Sequence, residues 1–272
     1  MSDAATVKPK KKVGKIIRRI LSAIIFILAV IAAAVAVIAS KNIKSMNKAV
    51  DDAMAVISER YTVTEEDPGE YGKMTINGIM KFDVKQYDVE GVGNLSVMTM
   101  NAGMMQMISL ILNPQEKNMP LVSADFMYIL TTRKAYYELY DLVDTKDEKY
   151  EAILDAFRNI SGPYDSLEDT SSTPAWFDNL RNATMYKIGK PADDEALSEM
   201  LCDGLEAVLD ASADLPQLTE EEQKTKNEIT KQYTDGLISK GGISTDMFKS
   251  SLGEDVTRDF FSKVLFGTGR ID

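Results

Sequence analysis

A run of twenty residues without charge, Ile20 to Ala39, constrains this chain more than any other feature. Its only polar member is Ser22. At about 1.5 Å of rise per residue, a helix of this length matches the roughly 30 Å hydrocarbon core of a bilayer. We therefore expect residues 20–40 to form one transmembrane anchor, with the lipid bilayer as its partner.

Charged residues around the apolar run predict its orientation. Seven Lys and Arg residues precede it, against the single acid Asp3. Positively charged segments stay on the cytoplasmic side, so residues 1–19 are expected to form a basic cytoplasmic tail. The predicted location is the cell membrane, crossed once, with the following domain extracytoplasmic.

A cleaved signal peptide is the alternative interpretation of the same run. Val37-Ile38-Ala39 has the small-residue spacing of a cleavage site. The run is longer than a usual signal-peptide core, which favours a retained anchor. Both interpretations export the domain that follows.

Composition excludes several classes of function. From residue 41 onward, 24 basic residues face 41 acidic ones, and so acidic a domain repels nucleic acid. The chain has no histidine, which excludes Ser-His-Asp triads and histidine-ligated zinc sites. Its single cysteine, Cys202, cannot form a disulfide within the chain.

The segment after the anchor, residues 41–62, has helical periodicity. Its apolar residues recur at three- and four-residue spacing: Met46, Val50, Met54, Ile57 and Tyr61. This pattern predicts a first helix that packs on the domain. A signalling or dimerising stalk is the alternative.

Residues 63–272 are predicted to form the folded domain. Alternation from Met74 to Val84 predicts one strand with a single solvent-facing side. Further strands are predicted at residues 95–100, 104–112, 121–130, 136–143 and 183–188. Two of them are apolar on both faces, which is typical of a sheet covered by two layers, and the short connections predict antiparallel order.

Helical spacing accounts for much of the second half of the chain. Helices are predicted at residues 150–160, 194–209, 220–240, 245–252 and 255–266. The fold class is therefore α+β: a three-layer α/β/α sandwich with a central antiparallel sheet, preceded by one transmembrane helix.

Asp125 is the strongest candidate for a functional side chain. It lies in the middle of a strand that is apolar on both faces, and burial there would raise its pKa enough for it to hold a proton near neutrality. Met127, on the same face, and Glu138, in the next strand, are the other candidate ligand-binding residues. The alternative is a structural carboxylate tied to Arg133, to Lys134 or to backbone amides.

Five methionines crowd the hairpin at residues 95–112: Met98, Met100, Met104, Met105 and Met107. Methionine fills irregular gaps in a core, which is the simpler interpretation. A flexible Met-rich surface can also form an adaptable wall of a ligand site.

Two segments of the domain resemble ferredoxin-dependent bilin reductases. Leu110 to Asp144, LILNPQEKNMPLVSADFMYILTTRKAYYELYDLVD, is similar to the central strands of that family, where a strand ends in a proline, a second proline opens the next strand, and an aspartate follows. Tyr233 to Gly267, with Gly253, Phe260-Phe261 and Val264-Leu265-Phe266-Gly267, resembles the two closing helices.

The resemblance implies an antiparallel sheet between two helical layers. Family members reduce linear tetrapyrroles with electrons from ferredoxin and protons from the protein, and they use no metal or flavin. The resemblance therefore implies no cofactor, and it places the catalytic aspartate at Asp125, as proton donor. The histidine that usually partners this aspartate has no counterpart here.

Three functions are compatible with the sequence. The favoured one is an extracytoplasmic binding module for a tetrapyrrole or another hydrophobic ligand, with Asp125 at its floor. The second is a bilin-reductase-like oxidoreductase. The third is a structural or protein-interaction domain without a ligand, and the sequence does not identify a protein partner.

Overall fold

One long helix begins the fold in the computed structural model, which describes residues 10–271, with side chains from residue 15 onward except that of Ile243. Helix α1 spans Lys10–Arg60 without a break. It is the one helix in the described part of the chain that is long and apolar enough to cross a membrane, and its apolar part is not buried in the protein. The first nine residues of the expected tail lie outside the described residues.

The second half of α1 belongs to the domain. Its buried side chains recur at helical spacing: Met46, Ala49, Ala53, Val56 and Ile57. Its last residue, Arg60, bonds Asp210 through Nε and Oδ1 at 2.6 Å. Through these contacts the second half of α1 packs on the rest of the domain.

A nine-stranded antiparallel sheet forms the middle of the domain. The strands run in the order β1-β3-β4-β5-β6-β7-β9-β8, and β2 also pairs with β3. Their bounds are β1 Val63–Glu66, β2 Lys73–Ile76, β3 Met80–Val89, β4 Gly93–Asn101, β5 Met105–Pro114, β6 Leu121–Ile129, β7 Thr132–Tyr140, β8 Glu168–Asp169 and β9 Arg181–Gly189.

The single strand expected from Met74 to Val84 is wrong, because the chain folds back within it. Asn77 and Gly78 both have positive φ, 51° and 70°, as a type I′ hairpin turn requires. Ile76 and Met80 pair across the turn. They lie four residues apart, an even number, so the alternation continues through the turn and hides it.

Helices on both faces complete three layers. Their bounds are α2 Glu148–Asn159, α3 Asp194–Ala211, α4 Glu220–Lys240, α5 Ile243–Leu252 and α6 Glu254–Phe260, with a π-helical turn at Phe261–Leu265. Helices α1, α2 and α3 share one apolar core with the sheet, and α4, α5 and α6 share a second core on its opposite face. The expected α/β/α sandwich is confirmed. Strand β7 begins at Thr132, four residues before the predicted start.

Polar side chains of the sheet hold the last turn of the chain. Five successive carbonyls, those of residues 263–267, each accept a hydrogen bond of 2.7–3.1 Å. The donors are Gln86, Asn94, Ser96, Asn113 and Gln115. We call this set the C-terminal clamp. It satisfies carbonyls that the end of a helix would otherwise leave without partners.

Candidate functional site

Asp125 lies in the middle of a row of side chains that crosses the sheet on the α4–α6 side. Its direct neighbours are Ser109 on β5 and Tyr136 on β7. The row continues to Met98 on β4 and Tyr186 on β9. Strand alternation puts these side chains on one face because paired residues point the same way.

Burial raises the pKa of Asp125 to about 6, although the Ser109 hydroxyl works against this rise and the Glu138 carboxylate adds to it. The residue is only partly buried by exposed area. Both observations hold for a carboxyl group that water can still reach, although protein replaces most of its solvent. Asp125 can therefore keep or release a proton close to neutrality.

The expected tie between Asp125 and a cation is not formed within residues 15–271. Arg133 instead donates to Asp194 and to the Oδ1 of Asn42, the latter at 2.9 Å. Its guanidinium also lies over the ring of Tyr128. Arg133 therefore lies in the core on the other side of the sheet. It is not the partner that a purely structural role of Asp125 would require.

Glu138 lies on the same face, one row away, opposite Ser123. Its Oε1 accepts from Arg181 Nη1 and from the Tyr186 hydroxyl, each at 2.7 Å, and its Oε2 accepts from the Tyr140 hydroxyl. Three donors fix this buried carboxylate. It shapes the electrostatics beside Asp125 and has little freedom to move.

An aromatic cluster forms the wall of the site on the helical side. Tyr233 of α4 packs against Tyr140, Trp176, Phe177 and Phe266, with ring centroids 5.4–5.9 Å apart. Burial raises the pKa of the Tyr233 phenol, and the negative charges of Glu138 and Asp125 contribute to that rise. A neutral phenol therefore faces the two carboxyl groups.

Accessibility on this face increases along the strands. Leu121 is buried, whereas Ser123, Asp125, Met127 and Ile129 of the same strand are partly exposed. The same gradient is found on the neighbouring strands, where Ser109 and Glu138 are buried while Met107 and Lys134 are partly exposed. The open part of the face is thus a half-buried surface of Met and Tyr side chains around Asp125. We call it the Asp125 face.

The five methionines of the hairpin divide between the two predicted roles. Met98 and Met100 are buried in the core under α5, as core filler. Met105 and Met107 are partly exposed on the Asp125 face, and Met104 is exposed.

Two surface pockets lie away from Asp125. One, of about 330 Å³, is lined by Tyr71, Asp259 and Arg270 among others. The other, of about 480 Å³, lies where α1 meets the β6–β7 turn. Neither is lined by Asp125, Met127 or Glu138, so the chemistry of its side chains, and not a pocket, distinguishes the Asp125 face.

An antiparallel sheet between two helical layers is the fold of the ferredoxin-dependent bilin reductases. One solved structure that the chain resembles is that of tomato phytochromobilin synthase in complex with biliverdin. The two chains are 15% identical with a TM-score of 0.67, over 82% of this chain and 83% of the other. No protein-family model matches the chain, and no curated protein matches it significantly.

The sequence-predicted residues Asp125, Met127 and Glu138 thus share one face of the sheet. Sequence reasoning missed Tyr136 and Tyr186, which flank Asp125 and Glu138, and it missed Arg181. The YYELY alternation around Glu138 could have revealed Tyr136, since residues two apart on a strand face the same way. Arg181 could not be found, because its approach depends on the pairing of β7 with β9.

Proposed function

We propose that this is a single-pass membrane protein whose extracytoplasmic domain binds a tetrapyrrole or another hydrophobic small ligand on the Asp125 face. The observation that carries the proposal is a half-buried surface of Met and Tyr side chains around a carboxyl group that titrates near neutrality. Ligand sites combine such apolar walls with a few polar groups that fix orientation.

The chemistry of a tetrapyrrole suits this surface. Its rings can pack on Met107, Met127 and Tyr136, and a pyrrole N–H can donate to the Asp125 carboxylate. The fold shared with a protein solved with biliverdin supports the choice of ligand class. Asp125 would bind such a ligand and also set its protonation.

Absorbance titration of the full chain in detergent micelles with biliverdin and haem tests this function. We expect saturable spectral shifts, and we expect Asp125→Asn to weaken binding about tenfold, the worth of one hydrogen bond to a charged group. Asp83→Asn, at an exposed strand carboxylate, is the matched control. Empty micelles correct for partitioning. Absence of a saturable shift would leave a domain without such a ligand, the third function.

A second candidate is a bilin-reductase-like oxidoreductase, with Asp125 as proton donor. The observation that favours it is the pKa of Asp125, about 6, which suits a general acid near neutrality. If a bilin binds, a ferredoxin reducing system should bleach or blue-shift its absorbance. Asp125→Asn should abolish that change while some binding remains, and a change that survives the substitution would rule Asp125 out as donor.

Anchoring and orientation are tested separately. We expect the full chain to stay in membranes during alkaline carbonate extraction, because the apolar part of α1 has no protein partner within the described residues. Protease added outside intact spheroplasts should digest the domain. A domain protected from protease would reverse the orientation and bring it to the cytoplasmic side, where soluble electron donors are found.

A further inference from the structure

Three hairpin turns and the exit of α1 lie together at one end of the sheet. In an antiparallel sheet alternate turns share an end, so the β2–β3, β4–β5 and β6–β7 turns are neighbours. Asn42 of α1 donates through Nδ2 to the Leu130 carbonyl at 3.0 Å and to Gln106 Oε1 at 3.1 Å. We call this the hairpin end of the domain.

No linker separates the hairpin end from the apolar run. Ala39 precedes Asn42 by three residues of continuous helix, about 5 Å along the axis. Ile38, inside the run, and Thr131, in the β6–β7 turn, line the same groove of about 480 Å³. If the run spans a bilayer, the hairpin end therefore lies at the level of the lipid headgroups.

The side chains of the hairpin end suit such a position. Three large apolar side chains are exposed beyond Val37 in the described part of the chain, and two of them occupy hairpin tips: Ile79, 68% exposed, and Met104, 59% exposed. Lys41 and Lys44 are also exposed there and can interact with anionic headgroups. This basic segment contrasts with the net negative charge of the rest of the domain.

The Asp125 face opens in the same direction. Towards the hairpin end, Met105, Met107, Ile129 and Lys134 are all partly exposed, whereas the opposite ends of their strands are buried under α4 and the C-terminal turn. The accessible part of the candidate site and the apolar run of α1 thus lie at the same end of the domain.

We propose that the candidate site opens onto the membrane surface and receives its ligand from the bilayer. The ligand is then an amphiphile that partitions into lipid, with an apolar body for the Met and Tyr surface and a polar group for Asp125. This inference rests on the proposed function, because it requires both the anchor and the ligand.

Depth-dependent quenching in lipid nanodiscs tests the contact with lipid without any ligand. Single cysteines replace Ile79 or Met104 in a Cys202→Ala background and carry an environment-sensitive fluorophore. We expect blue-shifted emission and quenching by brominated lipids at both tips. Glu90→Cys, at an exposed turn of the opposite end, is the matched control and should be unquenched. Equal, weak quenching at all three positions would overturn the proposal.

The rate of ligand loading tests the entry route. Biliverdin dissolved in the nanodisc lipid should load at least fivefold more slowly into the double variant Ile79→Asp, Met104→Asp, while its affinity in micelles stays unchanged. An unchanged loading rate would overturn entry from the bilayer. If no ligand binds in micelles, both the proposed function and the entry of a ligand from the bilayer are wrong. The quenching experiment uses no ligand, so it still decides whether the hairpin end contacts lipid.

Discussion

Asp125 and Glu138 show how neighbouring carboxyl groups on one sheet face acquire different roles. Glu138 accepts from Arg181, Tyr186 and Tyr140, so its charge is compensated. Asp125 has no salt bridge within residues 15–271, and burial raises its pKa to about 6. The fixed carboxylate beside it helps to keep the proton on Asp125, so the pair provides one anchored charge and one titratable group.

The pKa of Asp125 predicts how stability depends on pH. The pKa rises from 3.8 to about 6 on folding, so between these values the folded state holds a proton that the unfolded state releases. The contribution of Asp125 to stability is therefore most favourable below about pH 4 and is lost as the pH rises through 6, at a cost of up to about 3 kcal/mol. Asp125→Asn removes this cost.

Thermal unfolding of the full chain in micelles measures this effect. We expect Asp125→Asn to raise the melting temperature at about pH 7.5 and to give no gain at about pH 4. Asp83→Asn, at an exposed position, should leave both values nearly unchanged. A lower melting temperature for Asp125→Asn at neutral pH would mean that the carboxylate makes favourable contacts when charged.

Helices α3 and α4 each carry a glycine that faces an aromatic side chain. A Cβ at Gly236 of α4 would lie 2.3 Å from the ring of Trp176, and a Cβ at Gly204 of α3 would lie 2.2 Å from that of Tyr137. The first contact supports the aromatic wall of the candidate site. The second lies in the core on the other side of the sheet.

This pair of glycines gives a matched test of the aromatic wall. We expect Gly236→Ala and Gly204→Ala each to destabilise the fold by about 1–3 kcal/mol through overpacking. Only Gly236→Ala should shift the emission of Trp176, the single tryptophan of the chain, and weaken ligand binding. Equal emission spectra for the two variants would show that Trp176 is not held by α4.

Removing one hydrogen-bond donor of the C-terminal clamp should lower the free energy of unfolding. Asn113 Nδ2 donates to the Phe266 carbonyl at 2.7 Å, and both groups are buried. Asn113→Asp replaces the donor with an acceptor of similar shape, so we expect a loss of about 1–3 kcal/mol in the free energy of unfolding. Denaturant unfolding of the full chain measures it, and a smaller loss would mean that the turn finds another donor.

Elements with local signals could be predicted from the sequence, and those defined by long-range pairing could not. Helix α4 has the predicted bounds, because the Thr219–Glu222 capping box and Gly241 mark both ends. Alternation placed Asp125 and Met127 on one face. The environment of Glu138 escaped prediction, since Arg181 is 43 residues away in sequence.

At the scale of the whole molecule, α1 is shared between the apolar run and the folded domain. The expected boundary between a stalk or first helix at residues 41–62 and a domain from residue 63 lies within a packed core. Ile57 and Ala53 are fully buried in it, and Ser198 of α3 donates to Asp52 at 3.0 Å. We therefore expect the folding unit to begin close to Asn42.

Truncation tests this boundary. We expect a fragment of residues 41–272 to be soluble and to unfold cooperatively, because it keeps the packed half of α1. A fragment of residues 62–272 should aggregate, since losing the buried side chains of α1 exposes the core, and a single large-to-small change there already costs about 2–5 kcal/mol. Circular dichroism and gel filtration distinguish the two, and a well-folded shorter fragment would restore the stalk interpretation.

The absence of a break in α1 between Lys10 and Arg60 has a mechanical consequence. A domain on a flexible linker can reorient freely. A domain that directly continues a membrane-spanning helix instead keeps a fixed orientation relative to the membrane plane. If α1 spans a bilayer as we propose, every copy would present the same side to the aqueous phase, the one formed by the β3–β4 and β5–β6 turns. Soluble macromolecules would approach this protein from that side alone, while small apolar molecules would arrive through the lipid beneath it.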